Sequence, residues 1–169
     1  SRNDYENGDP EPEELNDFEL GWRWKNENFQ LNSNLYFMDY QIQLVLTGGI
    51  DDEGAFIRQN SGNSYRLGLE VDAMFRLSEK FSIRPNIAIS RNKNVDFVST
   101  FNGELVNYGD SNISFSPEIV AGNMLEYRPV QNLELKLLSK YVGEQFMSNT
   151  EAEASKLDAY FISDFNVQY

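Results

Sequence analysis

The sequence predicts an all-β fold, an antiparallel meander of about seven long strands forming a partial wall of a transmembrane β-barrel. Three observations predict it. From Tyr65 to Leu77 the odd positions are Tyr65, Leu67, Leu69, Val71, Ala73, Phe75 and Leu77, and the even positions between them carry Arg66, Glu70, Asp72 and Arg76. Strict period two describes a strand with one apolar and one wet face. A globular strand runs about 5–6 residues and one crossing a bilayer needs about 9–11, so this run has bilayer length. The connectors between such runs also alternate regularly between short and long. Finally, no stretch approaches the ~18 consecutive apolar residues of a membrane-spanning helix. A barrel needs none, because half of each strand faces a polar lumen.

The elements follow in order. Phe18, Leu20, Trp22 and Trp24 share one face of the first run, and a break at 25–28 leads to a second with Phe29, Leu31, Leu35 and Phe37. Between Tyr36 and Tyr40 the phase flips and Ile42, Leu44 and Leu46 continue on even numbers, as a β-bulge would produce. A polar segment, 48–63, precedes the Tyr65–Leu77 strand, in which Gly48 and Gly49 mark a turn, as Gly103 does later. After a tight turn at 78–80, Phe81, Ile83, Pro85, Ile87 and Ile89 share a face, and a long connection covers 93–112. The fifth run holds Ile113, Phe115, Pro117, Ile119, Ala121, Leu125 and Tyr127. A turn at 129–132 leads to Leu133, Leu135, Leu137 and Tyr141. A loop at 143–156 then precedes Leu157, Ala159, Phe161, Phe165, Val167 and Tyr169.

Barrels of this kind have short periplasmic turns on one rim and long extracellular loops on the other. The turns at 25–28, 78–80 and 129–132 are therefore expected to face the periplasm. Trp22, Trp24, Phe29, Phe75, Phe81 and Tyr127 beside them read as an interfacial aromatic girdle. An odd number of strands does not close such a barrel. The expectation is that 1–169 is a single incomplete barrel segment, with 1–16 a loop or edge and 17–169 the strands. Any plug domain and the closing strands would lie elsewhere, and Ser1 is not read as a native start.

Composition narrows the function. The net charge of −13 disfavours a nucleic-acid partner. Histidine and cysteine are both absent, which removes the usual general base, thiol nucleophile and zinc ligands, and no enzyme, cofactor or metal site is expected. Glu70 and Asp72 share a face with Arg66 and Arg76. With the 78–80 turn setting the register, Arg84 opposes Met74 and lies diagonal to Asp72, a charge ladder rather than an acid–base pair. Asp51-Asp52-Glu53 beside Gly54 lacks the spacing of an EF-hand loop and reads as solvated loop.

Three motifs resemble a known family, the TonB-dependent outer-membrane receptors. They are Pro12-Glu-Glu followed by Phe18-Glu-Leu-Gly-Trp-Arg23, then Asn34-Leu-Tyr-Phe-Met-Asp-Tyr40 with Gln43-Leu-Val-Leu46, then Asn60-Ser-Gly62 with Gly68-Leu-Glu70. The second has the look of receptors from Bacteroides-like bacteria. The resemblance implies a barrel of about 22 strands with a plugged lumen, importing iron-siderophore, cobalamin or glycan with energy supplied through TonB. This chain would be part of its C-terminal third. The implied partners are outer-membrane lipid and lipopolysaccharide, the receptor's own plug and TonB, and a small nutrient. No single ligand-binding residue is carried over, and the regions 1–16, 48–63, 93–112 and 143–156 stand as candidates.

By alternation, Leu67, Leu69, Val71 and Ile87 face lipid, whereas Glu19, Arg23, Arg66, Glu70, Asp72, Arg76, Arg84, Glu118, Lys136 and Asp164 face the lumen. The alternative reading is a soluble, acidic β-rich ligand- or carbohydrate-binding module, which leaves the alternating connector lengths unexplained. A non-energised porin or autotransporter barrel shares the same physics.

Overall fold

The computed structural model describes residues 12–42, 44–50, 56–60, 62–101 and 104–169. In chain order the strands are β1 (Glu14–Lys25), β2 (Phe29–Gln41), β3 (Leu44–Ile50), β4 (Phe56–Asn60), β5 (Asn63–Arg76), β6 (Phe81–Phe101) and β7 (Glu104–Asn112). They continue with β8 (Ile119–Val130), β9 (Leu133–Val142), β10 (Gln145–Phe146), β11 (Lys156–Leu157) and β12 (Tyr160–Gln168). One antiparallel sheet runs β1-β2-β5-β6-β8-β9-β12, with β7 pairing the upper part of β6. The pairs β3–β4 and β10–β11 form two small separate sheets. The sheet's seven-strand path is the meander that the alternation predicts, and β1 opens slightly before position 17.

Register carries the two faces across the whole sheet. Leu20 opposes Leu35, which opposes Leu69, which opposes Ile89, which opposes Ile119. Lower down, Phe81 opposes Tyr127, Tyr127 opposes Leu135, and Leu135 opposes Val167. No register slip interrupts this face within β1, β2 and β5, so a single apolar surface forms. Its side chains are open to the surroundings, with Leu20 72% and both Phe161 and Phe165 65% exposed. Apolar area left bare on that scale marks a face that something other than water covers.

The turns are short and self-capped. Asn26 Oδ1 accepts from the Asn28 and Phe29 N–H groups at 3.0 and 2.8 Å, closing the β1–β2 turn. Ser78 Oγ accepts from the Lys80 N–H at 3.2 Å. Lys80 then reaches across to donate to the Pro129 carbonyl at 2.8 Å, which ties two neighbouring turns together. Above them the expected aromatics meet in pairs on the apolar face. Phe29 and Phe75 stand 4.9 Å apart, Trp22 and Trp24 6.0 Å, and Phe81 and Tyr127 6.2 Å. That is a belt of rings at one rim, the arrangement of an interfacial girdle.

Four expectations are corrected. The phase flip is not a bulge at 36–40, because β2 pairs β1 without a shift from Gln30 to Gln41. The break falls at Ile42, where φ is 57°, and β3 begins a separate hairpin. Gly48 and Gly49 lie inside β3, where the pairing with β4 is irregular between Leu46 and Ile50, and do not form a turn. Gly103 and Asp51-Asp52-Glu53 lie outside the described residues. The connection 93–112 is largely regular, since β6 runs on to Phe101 and β7 returns beside it. The fifth run begins only at Ile119. Ile113 to Glu118 are not strand, and Phe115 has φ 53°.

The last correction has a physical cause. Lys93 pairs Asn112 and Ile89 pairs Ile119, so the three β6 residues between 89 and 93 face six residues, 113–118. Three residues are in excess and have no place in the ladder. The edge bonds resume on either side, with the Ile113 N–H donating to Asn92 O at 3.2 Å and the Ser90 N–H donating to Glu118 O at 2.8 Å. An odd excess also inverts side-chain parity. The odd-numbered run 113–119 therefore looks continuous in the sequence while the backbone between leaves the sheet.

Candidate functional site

The face opposite the apolar one gathers the polar side chains. Glu19, Arg23, Asn32, Asn34, Glu70, Asp72 and Asn86 line one groove of about 660 Å³ on it. Asn32 Nδ2 donates to Asp72 Oδ2 at 2.7 Å, and Asn34 Nδ2 donates to Glu19 Oε2 at 3.2 Å. Among the described residues no ion pair joins Asp72 to Arg66, Arg76 or Arg84. The register expected there holds, since Arg76 opposes Ser82 and Asp72 opposes Asn86. The lattice around Asp72 is therefore built of amides. The charge lattice lies lower, where Arg128 Nη2 contacts Glu126 and Glu134 at 2.7 Å each and Lys136 closes on Glu134.

Two glycines on this face lie close under side chains of the neighbouring strands. A Cβ on Gly68 would sit 2.4 Å from Tyr36 Oη and 2.5 Å from its Cζ, so the phenol ring lies directly across β5. A Cβ on Gly122 would come within 2.9 Å of Asn86 Oδ1.

Above the groove, the excursion 113–118 bends over the same face. Phe115, Ser116 and Pro117 line a concavity of about 360 Å³ together with Tyr36, Met38, Arg66, Ser90 and Asn92. Phe115 is 62% exposed. Arg66 Nη1 donates to Ser116 Oγ at 3.3 Å, and its guanidinium lies 6.0 Å from the Tyr40 ring centroid. Ser90 Oγ donates to the Pro117 carbonyl at 3.4 Å. This corner offers an open aromatic ring, a cation, several hydroxyls and amides, and the carboxylates of Glu19 and Glu70 at its edge, a surface rich in polar groups for a polar ligand.

The loop 143–156 backs this corner. The Phe115 N–H donates to Phe146 O at 2.8 Å, the Ser114 N–H donates to Asn149 Oδ1 at 2.7 Å, and the Asn112 N–H donates to Glu151 Oε1. Lys93 Nζ lies 3.6 Å from the same Glu151 oxygen. Glu144, 3.1 Å from Lys156, hydrogen-bonds that ammonium and raises its pKa above the ordinary lysine value. Of the candidate regions, 93–112 and 143–156 thus meet at one place. Of 48–63, β3, β4 and the start of β5 are described in backbone, and of 1–16 the part from residue 12 on.

The arrangement has close parallels among solved structures. The ferric yersiniabactin uptake receptor FyuA from Yersinia pestis superposes with a TM-score of 0.71 at 17% identity, over 92% of this chain and 22% of that one. The siderophore receptor PiuA from Acinetobacter baumannii gives 0.73 at 18% identity, over 91% and 22%. The copper transporter OprC gives 0.70 at 15%, over 94% and 23%. No curated protein sequence matches. The family model described as TonB dependent receptor-like, beta-barrel, matches residues 1–169. The chain belongs to the TonB-dependent receptor β-barrel family.

The family sets the geometry in place. TonB-dependent receptors are outer-membrane proteins, and the sheet matches part of their barrel wall. The chain spans about a fifth of the length of the receptors it superposes on. The alternation predicted from the sequence puts Glu19, Asp72 and Arg66 on the groove side, where Glu19 and Asp72 accept from Asn34 and Asn32 and Arg66 reaches Ser116. Sequence reasoning missed Phe115, assigned to the apolar face, because parity alone was read there. The signal available was Ser114-Phe-Ser-Pro117, a cluster of turn residues with a proline that cannot donate to the ladder. Tyr36 over Gly68 left no local signal, because the two meet only through strand pairing.

Proposed function

We propose that this chain forms part of the wall of an outer-membrane receptor that imports a scarce nutrient, with energy supplied through TonB. The observation that carries the proposal is the whole-length family match on a sheet with one exposed apolar face and one groove face. The rest of the receptor supplies the remaining strands and a plug that fills the lumen against the amide lattice around Asn32 and Asp72. The wall is not catalytic. Iron-siderophore is the favoured cargo over cobalamin or glycan, supported by the siderophore receptors FyuA and PiuA among the similar structures. The Phe115–Arg66 corner stands where such cargo enters. A soluble binding module is disfavoured by the bare Leu20, Phe161 and Phe165 side chains.

Deleting the full-length receptor gene is expected to abolish energised uptake of its cargo. The test supplies a panel of ⁵⁵Fe-siderophores, labelled cobalamin and oligosaccharides to parent and deletion cells, with and without a protonophore. One iron complex taken up only by energised parent cells is the expected result. Uptake that survives the protonophore would make this a passive pore.

A further inference from the structure

The excursion 113–118 and the loop 143–156 come from separate connections, yet they are bonded as one body. Three backbone donors of the excursion side, at Asn112, Ser114 and Phe115, are each accepted by the loop, through Glu151, Asn149 and the Phe146 carbonyl. The loop is braced within itself. The Met147 N–H donates to Ser155 O at 2.8 Å, Ser148 Oγ donates to Ser155 Oγ at 3.0 Å, and β10 pairs β11 between the ends. Two of the four described non-glycine residues with positive φ sit on the two sides of this junction, Phe115 at 53° and Glu151 at 52°. L-residues hold that conformation only where the surroundings over-determine it. A lid that opens and closes has few such anchors.

We propose that Glu151 and Asn149 are positioning residues that fix Phe115 as a permanent step in the lumen, so that cargo meets a set narrowing there and not a lid. The inference rests on the reading of the groove face as lumen. Each positioning group acts as a hydrogen-bond acceptor toward a backbone N–H, so a side chain that keeps an oxygen in place should serve. Glu151→Gln and Asn149→Asp retain acceptors, whereas alanine at either position removes one.

The test uses spin labels in the full-length receptor in outer-membrane vesicles. This chain has no cysteine, so Ser114→Cys and Glu79→Cys, with any cysteine elsewhere replaced, give one label on the excursion and one at a periplasmic turn. The parent and the Glu151→Gln/Asn149→Asp variant are expected to show one narrow distance. The Glu151→Ala/Asn149→Ala variant is expected to broaden it at least twofold while keeping the heat-modifiable gel mobility of a folded barrel. If that pair does not fold, Asn149→Ala alone is read the same way. A broad or two-peaked distance in the parent overturns the proposal, as does an alanine pair that leaves it narrow. A label at 114 relaxed by oxygen and not by a water-soluble nickel chelate overturns the lumenal placement itself, whatever the distance shows.

Discussion

Val71→Arg in the full-length receptor is expected to prevent barrel assembly, whereas Asp72→Asn beside it leaves assembly intact. Val71 opposes Ser33 on one side and Ile87 on the other, and it belongs to the face that carries Leu69 and Phe75. A guanidinium there enters the hydrocarbon, at a cost of about 2–4 kcal/mol at mid-depth. That is a large share of the roughly 5–15 kcal/mol that holds a typical fold together. Asp72 points the other way and accepts a hydrogen bond from Asn32 at 2.7 Å. An asparagine keeps an acceptor oxygen at that place, so the change should stay within about 1 kcal/mol. Heat-modifiable gel mobility of outer-membrane fractions reads both. Equal assembly of the two variants would refute the assignment of faces.

The second large effect is expected at Gly68. Any side chain there collides with the Tyr36 ring, the closest approaches being 2.4 Å to Oη, 2.5 Å to Cζ and 2.8 Å to Cε1. Gly68→Ala should lower stability by about 1–3 kcal/mol as the ring is driven off β5. The collision involves ring carbons as well as the hydroxyl, so adding Tyr36→Phe should not relieve it, whereas adding Tyr36→Ser should. Guanidinium unfolding of the purified receptor distinguishes these. A silent Gly68→Ala, or equal rescue by phenylalanine and serine, would show that the ring does not rest on the glycine.

The wall was legible because its determinants are local. Alternation along 65–77 and 81–89 needs no knowledge of partners, and the tight turns follow from Asn26, Ser78 and their neighbours. Faces and strand order followed from these. The upper rim was not legible, since its structure is set by pairing across distance. Ile42 breaks the second strand through its own backbone conformation, which the even-numbered apolar series 42, 44, 46 conceals. The 93–112 segment reads as a connection because its apolar residues, Val95, Phe97, Val98 and Phe101, do not keep period two. At 113–118 the parity of the sequence and the parity of the sheet disagree by three extra residues; the turn cluster Ser114-Phe-Ser-Pro117 marks the place and the partner strand sets the number. The candidate site sits at that disagreement.

The same excursion also separates two problems of inheritance. Below Ile119 the ladder with β6 is held by its own register down to Tyr127, and above Asn112 it is held by another. Residues inserted or lost between these points alter the segment that overhangs the lumen while leaving both registers, and the lipid face, unchanged. A lineage can therefore try out new lengths there without rebuilding the wall that carries them.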